Sequence, residues 1–153
     1  MAQFWRLKKQ EKIRAIIIDD EERARRILQS IVEEYCTEIE IIDTCSNVPD
    51  GVLSINKHNP DLVFLDVEMP EYNGFDLLNF FKKVEFEIIF VSAYNDFAIR
   101  AFEVSSIDYL LKPVEITLLQ NSIRKVEEKK KLHNLENRLD ILREAIKLER
   151  FKN

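Results

Sequence analysis

Four apolar runs in this chain each stop at residues able to do chemistry. Leu62-Val63-Phe64-Leu65 stops at Asp66, Ile16-Ile17-Ile18 at Asp19-Asp20-Glu21, Ile88-Ile89-Phe90-Val91 at Ser92, and Tyr109-Leu110-Leu111 at Lys112. Continuous apolar runs of this length read as strands covered on both faces, as in parallel sheets. Open α/β sheets carry their ligands outside the carboxyl ends of such strands. If the first and third strands are neighbours, Asp19, Asp20 and Asp66 converge. Carboxylates held that close repel and raise one another's pKa, so a bound divalent cation is the natural compensation. Mg²⁺ prefers oxygen ligands and usually takes one or two carboxylates with waters and phosphate oxygens. A hydroxyl at Ser92 and an ammonium at Lys112 reach the same sheet edge. A carboxylate nucleophile, a cation cluster, a hydrogen-bond donor and a fixed positive charge are together what an incoming phosphoryl group needs. Taken alone, Asp19-Asp20-Glu21 reads more readily as a helix start, with acids at the positive end of the dipole; the coincidence at four strand ends favours chemistry.

The elements that must position these groups alternate along the chain. Strands are expected at Arg14–Ile18, Glu40–Thr44, Leu62–Leu65, Glu87–Ser92 and Ile107–Leu110. Amphipathic helices are expected at Glu22–Tyr35, Pro49–His58, Gly74–Lys82, Asn95–Glu103 and from Val114 onward, with Asn73-Gly74 marking the turn into the third. Such alternation is the signature of an α/β domain with a parallel sheet. Right-handed crossovers then favour a doubly wound, three-layer sandwich. With only two glycines, the chain has no Gly-rich phosphate loop of the Walker or dinucleotide type.

At 153 residues the chain is about one domain, and 46% hydrophobic with 33% charged is ordinary for a globular protein. No apolar stretch approaches the roughly 20 residues of a membrane span, and MAQFWRLKKQEK lacks the apolar segment of a secretory signal. A cytoplasmic location is the expectation. Cys36 and Cys45 have neither C-x-x-C spacing nor a Cys/His cluster, so they read as buried, idle thiols rather than a disulfide or zinc site. The net charge of -5 conceals an asymmetry. Residues 13–114 hold 9 Lys+Arg against 20 Asp+Glu, residues 1–12 hold 4 against 1, and residues 115–153 hold 10 against 7. The acidic middle lacks the clustered cations that nonspecific nucleic-acid binding requires, and it suits a cation site.

From Glu115 to Lys152 there is neither Pro nor Gly, which reads as one long helix or two nearly continuous ones. Leu119, Ile123 and Val126 form a stripe expected to pack on the sheet. A second stripe, Leu132, Leu135, Leu139, Leu142 and Ile146, has spacings of 3, 4, 3 and 4, heptad spacing over about two repeats. The step from Val126 to Leu132 breaks the phase, so the second stripe should face something other than the core. An exposed linker helix and pairing with a second chain both fit. The expected organisation is therefore a basic extension at 1–12, a globular domain at 13–131 and a helical linker or coiled-coil-like tail at 132–153.

From about Ile13 to Lys131 the chain resembles the receiver domain of two-component response regulators. The resemblance rests on IIIDDEE at Ile16 to Glu22, FLDVEMPEYNG at Phe64 to Gly74, VSAY at Val91 to Tyr94 and DYLLKP at Asp108 to Pro113. Ala101 to Pro113, AFEVSSIDYLLKP, looks most like the subgroup whose output is a LytTR-type (LytR/AlgR-like) DNA-binding domain.

This resemblance implies a flavodoxin-like (βα)5 fold with an extended C-terminal helix. It implies that Asp66 accepts a phosphoryl group from a sensor histidine kinase, and that Asp19, Asp20, the Asp66 carboxylate and the Glu68 backbone carbonyl hold Mg²⁺. Lys112 would pair with phosphoryl oxygens, Ser92 would bond one of them, and Tyr109 would report the switch. The Lys112-Pro113 bond would be cis, which proline permits. The output face would comprise the helix at Asn95–Glu103, the fifth strand and the start of the last helix. A homodimer on phosphorylation is implied, with transcriptional control through a LytTR-type domain that this chain does not contain. A stand-alone receiver, serving a phosphorelay or protein binding, is the alternative. Either way the chain is a signalling phosphoacceptor rather than an enzyme, with at most weak autophosphatase activity.

Three positions depart from the subgroup pattern. Ser92 stands where threonine is also common and keeps the hydroxyl. Glu22 replaces a frequent proline. Glu68 adds negative charge two residues after the acceptor. A phosphatase of the haloacid dehalogenase type also uses an aspartate and Mg²⁺ at strand ends, but it needs Asp-x-Asp after the first strand, which the adjacent pair Asp19-Asp20 does not supply. A receiver-like scaffold that only binds partners is disfavoured by the complete set Asp20, Asp66, Ser92 and Lys112.

Overall fold

A computed structural model describes residues 11–152; positions 1–10 of the expected basic extension lie outside the described residues. The elements run β1 (Ile13–Ile18), α1 (Glu22–Tyr35), β2 (Ile39–Cys45), α2 (Val48–His58), β3 (Leu62–Leu65), a 3-10 turn (Asp76–Phe80), β4 (Glu87–Ser92), α3 (Ala98–Glu103), β5 (Asp108–Leu111) and α4 (Ile116–Lys152). All strand pairs are parallel, and their order is β2-β1-β3-β4-β5. This is the flavodoxin-like, doubly wound sandwich, and the strand order reverses between β1 and β3, where such folds open a ligand crevice.

Strand pleating explains why the central runs are apolar without interruption. Successive side chains point to opposite faces, and both faces are covered. Ala15, Ile17, Phe64, Ile89 and Val91 pack with Leu28 and Val32 of α1 and with Leu119, Ile123 and Val126 of α4. Ile16, Ile18, Val63, Leu65, Ile88 and Phe90 pack on the other side with Val48 and Ile55 of α2, Leu77 of the 3-10 turn and Ala101 of α3. The first stripe of the last helix therefore lies on the sheet as its spacing predicts.

The third expected helix, Gly74–Lys82, is instead the short 3-10 turn at Asp76–Phe80. Its buried anchors are Phe75 and Leu77, an i, i+2 spacing that no α-helical face supplies. Asn73 and Asp76 exchange hydrogen bonds, Asn73 N–H to Asp76 Oδ2 at 2.8 Å and Asp76 N–H to Asn73 Oδ1 at 3.0 Å. These bonds begin the turn where a longer helix would have needed its own cap. Strand and helix bounds elsewhere differ from expectation by up to three residues, as at α3, which starts at Ala98 rather than Asn95.

α4 is one continuous helix of 37 residues. Ser122 Oγ–H donates to Asp108 Oδ2 at 2.7 Å and Lys125 Nζ lies 2.9 Å from the same oxygen, tying the helix to β5. Burial would raise the Asp108 pKa, but these bonds outweigh it and hold the carboxyl below its usual range. Lower down, Lys129 pairs with Glu87 at 3.0 Å and Lys130 with Asp61 at 3.3 Å, both at the amino-terminal edge of the sheet. From residue 131 to 151 every position is exposed. At 1.5 Å per residue this part projects by about 30 Å, away from the edge that carries Asp66. Leu132, Leu135, Leu139, Leu142 and Ile146 are 61%, 53%, 43%, 55% and 47% exposed, so the second stripe does not join the core. Cys36 and Cys45 are free and buried, and burial pushes both thiols up to about 11, with Glu38 adding to the first and Asp43 to the second.

The two stripes of α4 should respond oppositely to truncation. Leu119→Ala opens a cavity in a fully buried site and should cost about 2–5 kcal/mol, whereas Leu139→Ala in a dilute sample should stay within about 0.5 kcal/mol of wild type. Urea unfolding of the two variants checks this, and equal costs would contradict the assignment of the stripes.

Candidate functional site

Asp19, Asp66, Ser92 and Lys112 each take part in a backbone bond at a strand end. Ile18 closes β1, and its carbonyl accepts the Asp66 N–H at 2.9 Å, while the Asp19 N–H donates to the Cys45 carbonyl at 3.0 Å. On the other side, Ser92 closes β4, and its carbonyl accepts the Lys112 N–H at 2.8 Å. The Lys112-Pro113 peptide is cis. Gly74 lies against the Asp66 backbone: a Cβ built there would overlap the Asp66 carbonyl oxygen. Its N–H donates to the Val67 carbonyl at 2.8 Å, so the loop folds back over the strand end.

Carboxylate oxygens of Asp19, Asp20 and Asp66 lie within 4.8 Å of one another. Asp19 and Asp66 are buried and Asp20 is exposed. Lys112 Nζ reaches between the buried pair, 2.7 Å from Asp19 Oδ2 and 3.4 Å from Asp66 Oδ2. Burial, followed by the Asp19 charge, pushes Asp66 up to about 6, and Lys112 pulls it only partly back. For Lys112, burial works against the charged form, but the bond to Asp19 and the two carboxylate charges outweigh it, and its pKa rises. The donor set is thus three carboxylates against one ammonium, facing solvent through Asp20. Hard oxygen donors with excess negative charge suit a divalent cation such as Mg²⁺.

Ser92 is fully buried, and its Oγ accepts the Tyr94 N–H at 3.2 Å. The Tyr109 hydroxyl donates to the Tyr94 carbonyl, and its ring stands 6.2 Å from that of Phe90. Burial raises the Tyr109 phenol, as do the nearby charges of Asp66, Asp96 and Glu68. The β4–α3 loop is therefore held from both sides, by Ser92 and by Tyr109. Glu68 has an exposed side chain.

Strand-end logic had not singled out Arg25. Its guanidinium donates to the Asp19 carbonyl at 2.7 Å, and the Glu21 N–H donates to Asp19 Oδ1 at 3.0 Å. Arg25 is the fourth residue of α1 and half-buried, and one cation among several along that helix carries no signal of its own in the sequence. Gly74 was legible only as a turn residue, and its close approach to Asp66 appears with the fold.

The chain matches the family model for the response regulator receiver domain over residues 15–124. It is 40% identical over 113 residues to an uncharacterized response regulatory protein of Vibrio cholerae, covering 73% of this chain and 47% of that one. It is 34% identical over 119 residues to the transcriptional regulatory protein BtsR of Escherichia coli, covering 77% and 49% respectively. With the sensory transduction protein LytT of Bacillus anthracis it shares 35% over 120 residues, covering 77% and 48%. LytT among the relatives agrees with the subgroup resemblance of Ala101 to Pro113. The chain spans about half the length of these relatives. Among solved structures, the response regulatory domain of mrkE from Klebsiella pneumoniae superposes with a TM-score of 0.70 at 26% identity, over 78% of this chain and 98% of that one. Among the described residues, no helix is long and apolar enough to cross a membrane. With five parallel strands, an acidic cluster at the β1/β3 reversal and this family match, the chain belongs to the receiver domains of two-component response regulators.

Proposed function

We propose that Asp66 is the phosphoryl acceptor of this receiver, taking the group from the phosphohistidine of a sensor kinase in a Mg²⁺-dependent reaction. The observation that carries the reading is Lys112 bridging Asp19 and Asp66 inside a three-carboxylate cluster. An Asp66 oxygen attacks phosphorus as the P–N bond to the donor imidazole breaks, and the imidazole nitrogen leaves with the electron pair. Asp19, Asp20, Asp66 and the Glu68 backbone carbonyl would hold Mg²⁺. When bound, the ion supplies positive charge to offset the charge gathering on the phosphoryl oxygens. The Lys112 ammonium, already aimed at Asp66, exchanges part of its carboxylate pairing for phosphoryl oxygens.

Ser92 and Tyr109 couple that event to the surface. Turning the Ser92 hydroxyl toward a phosphoryl oxygen releases the Tyr94 N–H, and Tyr109 loses its carbonyl acceptor if the loop follows. The face beside this loop presents Ile99 and Phe102 of α3, Leu111 of β5 and Leu118 of α4, all exposed, with Phe102 at 83%. An apolar face of this kind marks an interaction surface, and pairing of phosphorylated chains through it is the expected response. The globular receiver spans residues 13–131, and the tail at 132–153 links it to an output domain. The transcriptional relative BtsR, the relative LytT and the LytTR-like stretch Ala101 to Pro113 support a LytTR-type DNA-binding output; the proposed site of action is the cytoplasm. Loss of the phosphoryl group to water would be slow autophosphatase chemistry, so the domain acts as a switch rather than an enzyme.

Beryllofluoride with Mg²⁺, a phosphoryl mimic, should shift the amide spectrum of Ser92, Tyr94 and Tyr109 in the wild type and leave Asp66→Asn unchanged. The same shifts in the variant would remove Asp66 from this role.

Electrostatics add a second outcome. The folded pKa of Asp66, about 6, lies above the ordinary value of 3.8, so its contribution to stability is present in full below about pH 4 and is lost as pH rises through 6. In EDTA at pH 7.5, Asp66→Asn should therefore be more stable than wild type, by on the order of 2 kcal/mol, with the gap closing toward pH 4. Added Mg²⁺ should stabilise the wild type and not the variant. Thermal unfolding across pH checks this, and a variant less stable than wild type at pH 7.5 would contradict it.

A further inference from the structure

The chain holds two glycines, and each lies where a side chain would strike the framework of the acidic cluster. Gly74 meets the Asp66 backbone, as described above. Gly51 is the fourth residue of α2, buried against the sheet. A Cβ built on it would stand 2.5 Å from Ile18 Cδ1, 3.2 Å from Cγ1 and 3.5 Å from Cγ2. Glycine is the least favourable residue after proline inside a helix, so its presence here goes with close packing of α2 on β1.

Ile18 adjoins both buried acids. It precedes Asp19 in the chain, and its carbonyl accepts the Asp66 N–H at 2.9 Å. Its side chain is fully buried among Cys45, Val48, Ile55 and Leu65, and interiors packed like this leave few voids to move into. Nor is α2 free to back away, because Ser54 Oγ–H bonds Asp43 of β2 and Val48 and Ile55 of the helix are buried against the sheet.

We propose that Gly51 is a positioning residue for the acidic cluster: by letting the backbone of α2 rest on Ile18, it sets the end of β1 from which Asp19 and Asp66 are held. A methyl at position 51 pushes on Ile18, and the displacement passes along the backbone to both carboxylates. The inference rests on the reading of that cluster as a divalent cation site.

The test is calorimetric titration of the full chain with MgCl₂, with urea unfolding alongside. Gly51→Ala should fold and weaken Mg²⁺ about tenfold, as loss of supporting contacts around a metal typically does. The double variant Gly51→Ala, Ile18→Val lacks the Cδ1 that the new methyl strikes, and it should recover most of the affinity. Wild-type affinity in Gly51→Ala, or no recovery in the double variant, overturns the proposal. If Gly51→Ala does not fold, Ile18→Val and Ile55→Val decide. Both delete one methyl from the same buried cluster, and only Ile18→Val should change Mg²⁺ affinity; equal affinities overturn the proposal. Failure of the underlying reading looks different, because then the wild type binds no Mg²⁺ or Asp66→Asn binds it equally well.

Discussion

Two carboxylates are buried within reach of one ammonium, and a third stands beside them at the surface. The site depends on what that arrangement costs and on what relieves it. Burial and the Asp19 charge drive Asp66 up to about 6, and Lys112 offsets only part of the repulsion. The sheet bears this cost because the strands that carry the acids are buried on both faces and cannot move apart. The cluster is therefore a standing demand for positive charge, which the proposed divalent cation would answer.

Positioning comes from backbone bonds between strand ends rather than from side-chain contacts among the reactive groups. Ile18 holds Asp66, Cys45 holds Asp19 and Ser92 holds Lys112. Because the order β2-β1-β3-β4-β5 makes each of these pairs adjacent, residues far apart in the chain meet at one edge. The same network reaches the surface through Ser92, Tyr94 and Tyr109. These two bonds fix the loop that leads into α3, the helix that exposes Ile99 and Phe102.

Most of this was legible before the fold was known, because it follows from which residue ends each apolar run. Leu62–Leu65 and Glu87–Ser92 were read with their observed bounds, since both-face burial leaves an uninterrupted signal. The turn at Asp76–Phe80 departs from the expected α-helix because Phe75 and Leu77 dock locally, which helical periodicity does not foresee. The contacts of Arg25 and Gly51 are not legible in the sequence. Their importance lies in what they touch across the fold, Asp19 in one case and Ile18 in the other, and neither contact leaves a spacing in the sequence.

The tail beyond residue 131 belongs to a different physical regime. Pinned by Lys129 and Lys130 at the far edge of the sheet, it leaves the domain as an exposed helix whose Leu and Ile stripe adds nothing to the core. At the other edge, peptide mapping after exposure to acetyl phosphate and Mg²⁺ should find a single phosphoryl group on the peptide that contains Asp66, absent when Mg²⁺ is chelated. A phosphoryl group on any other residue, or none on a chain that binds Mg²⁺, would contradict the role proposed for Asp66.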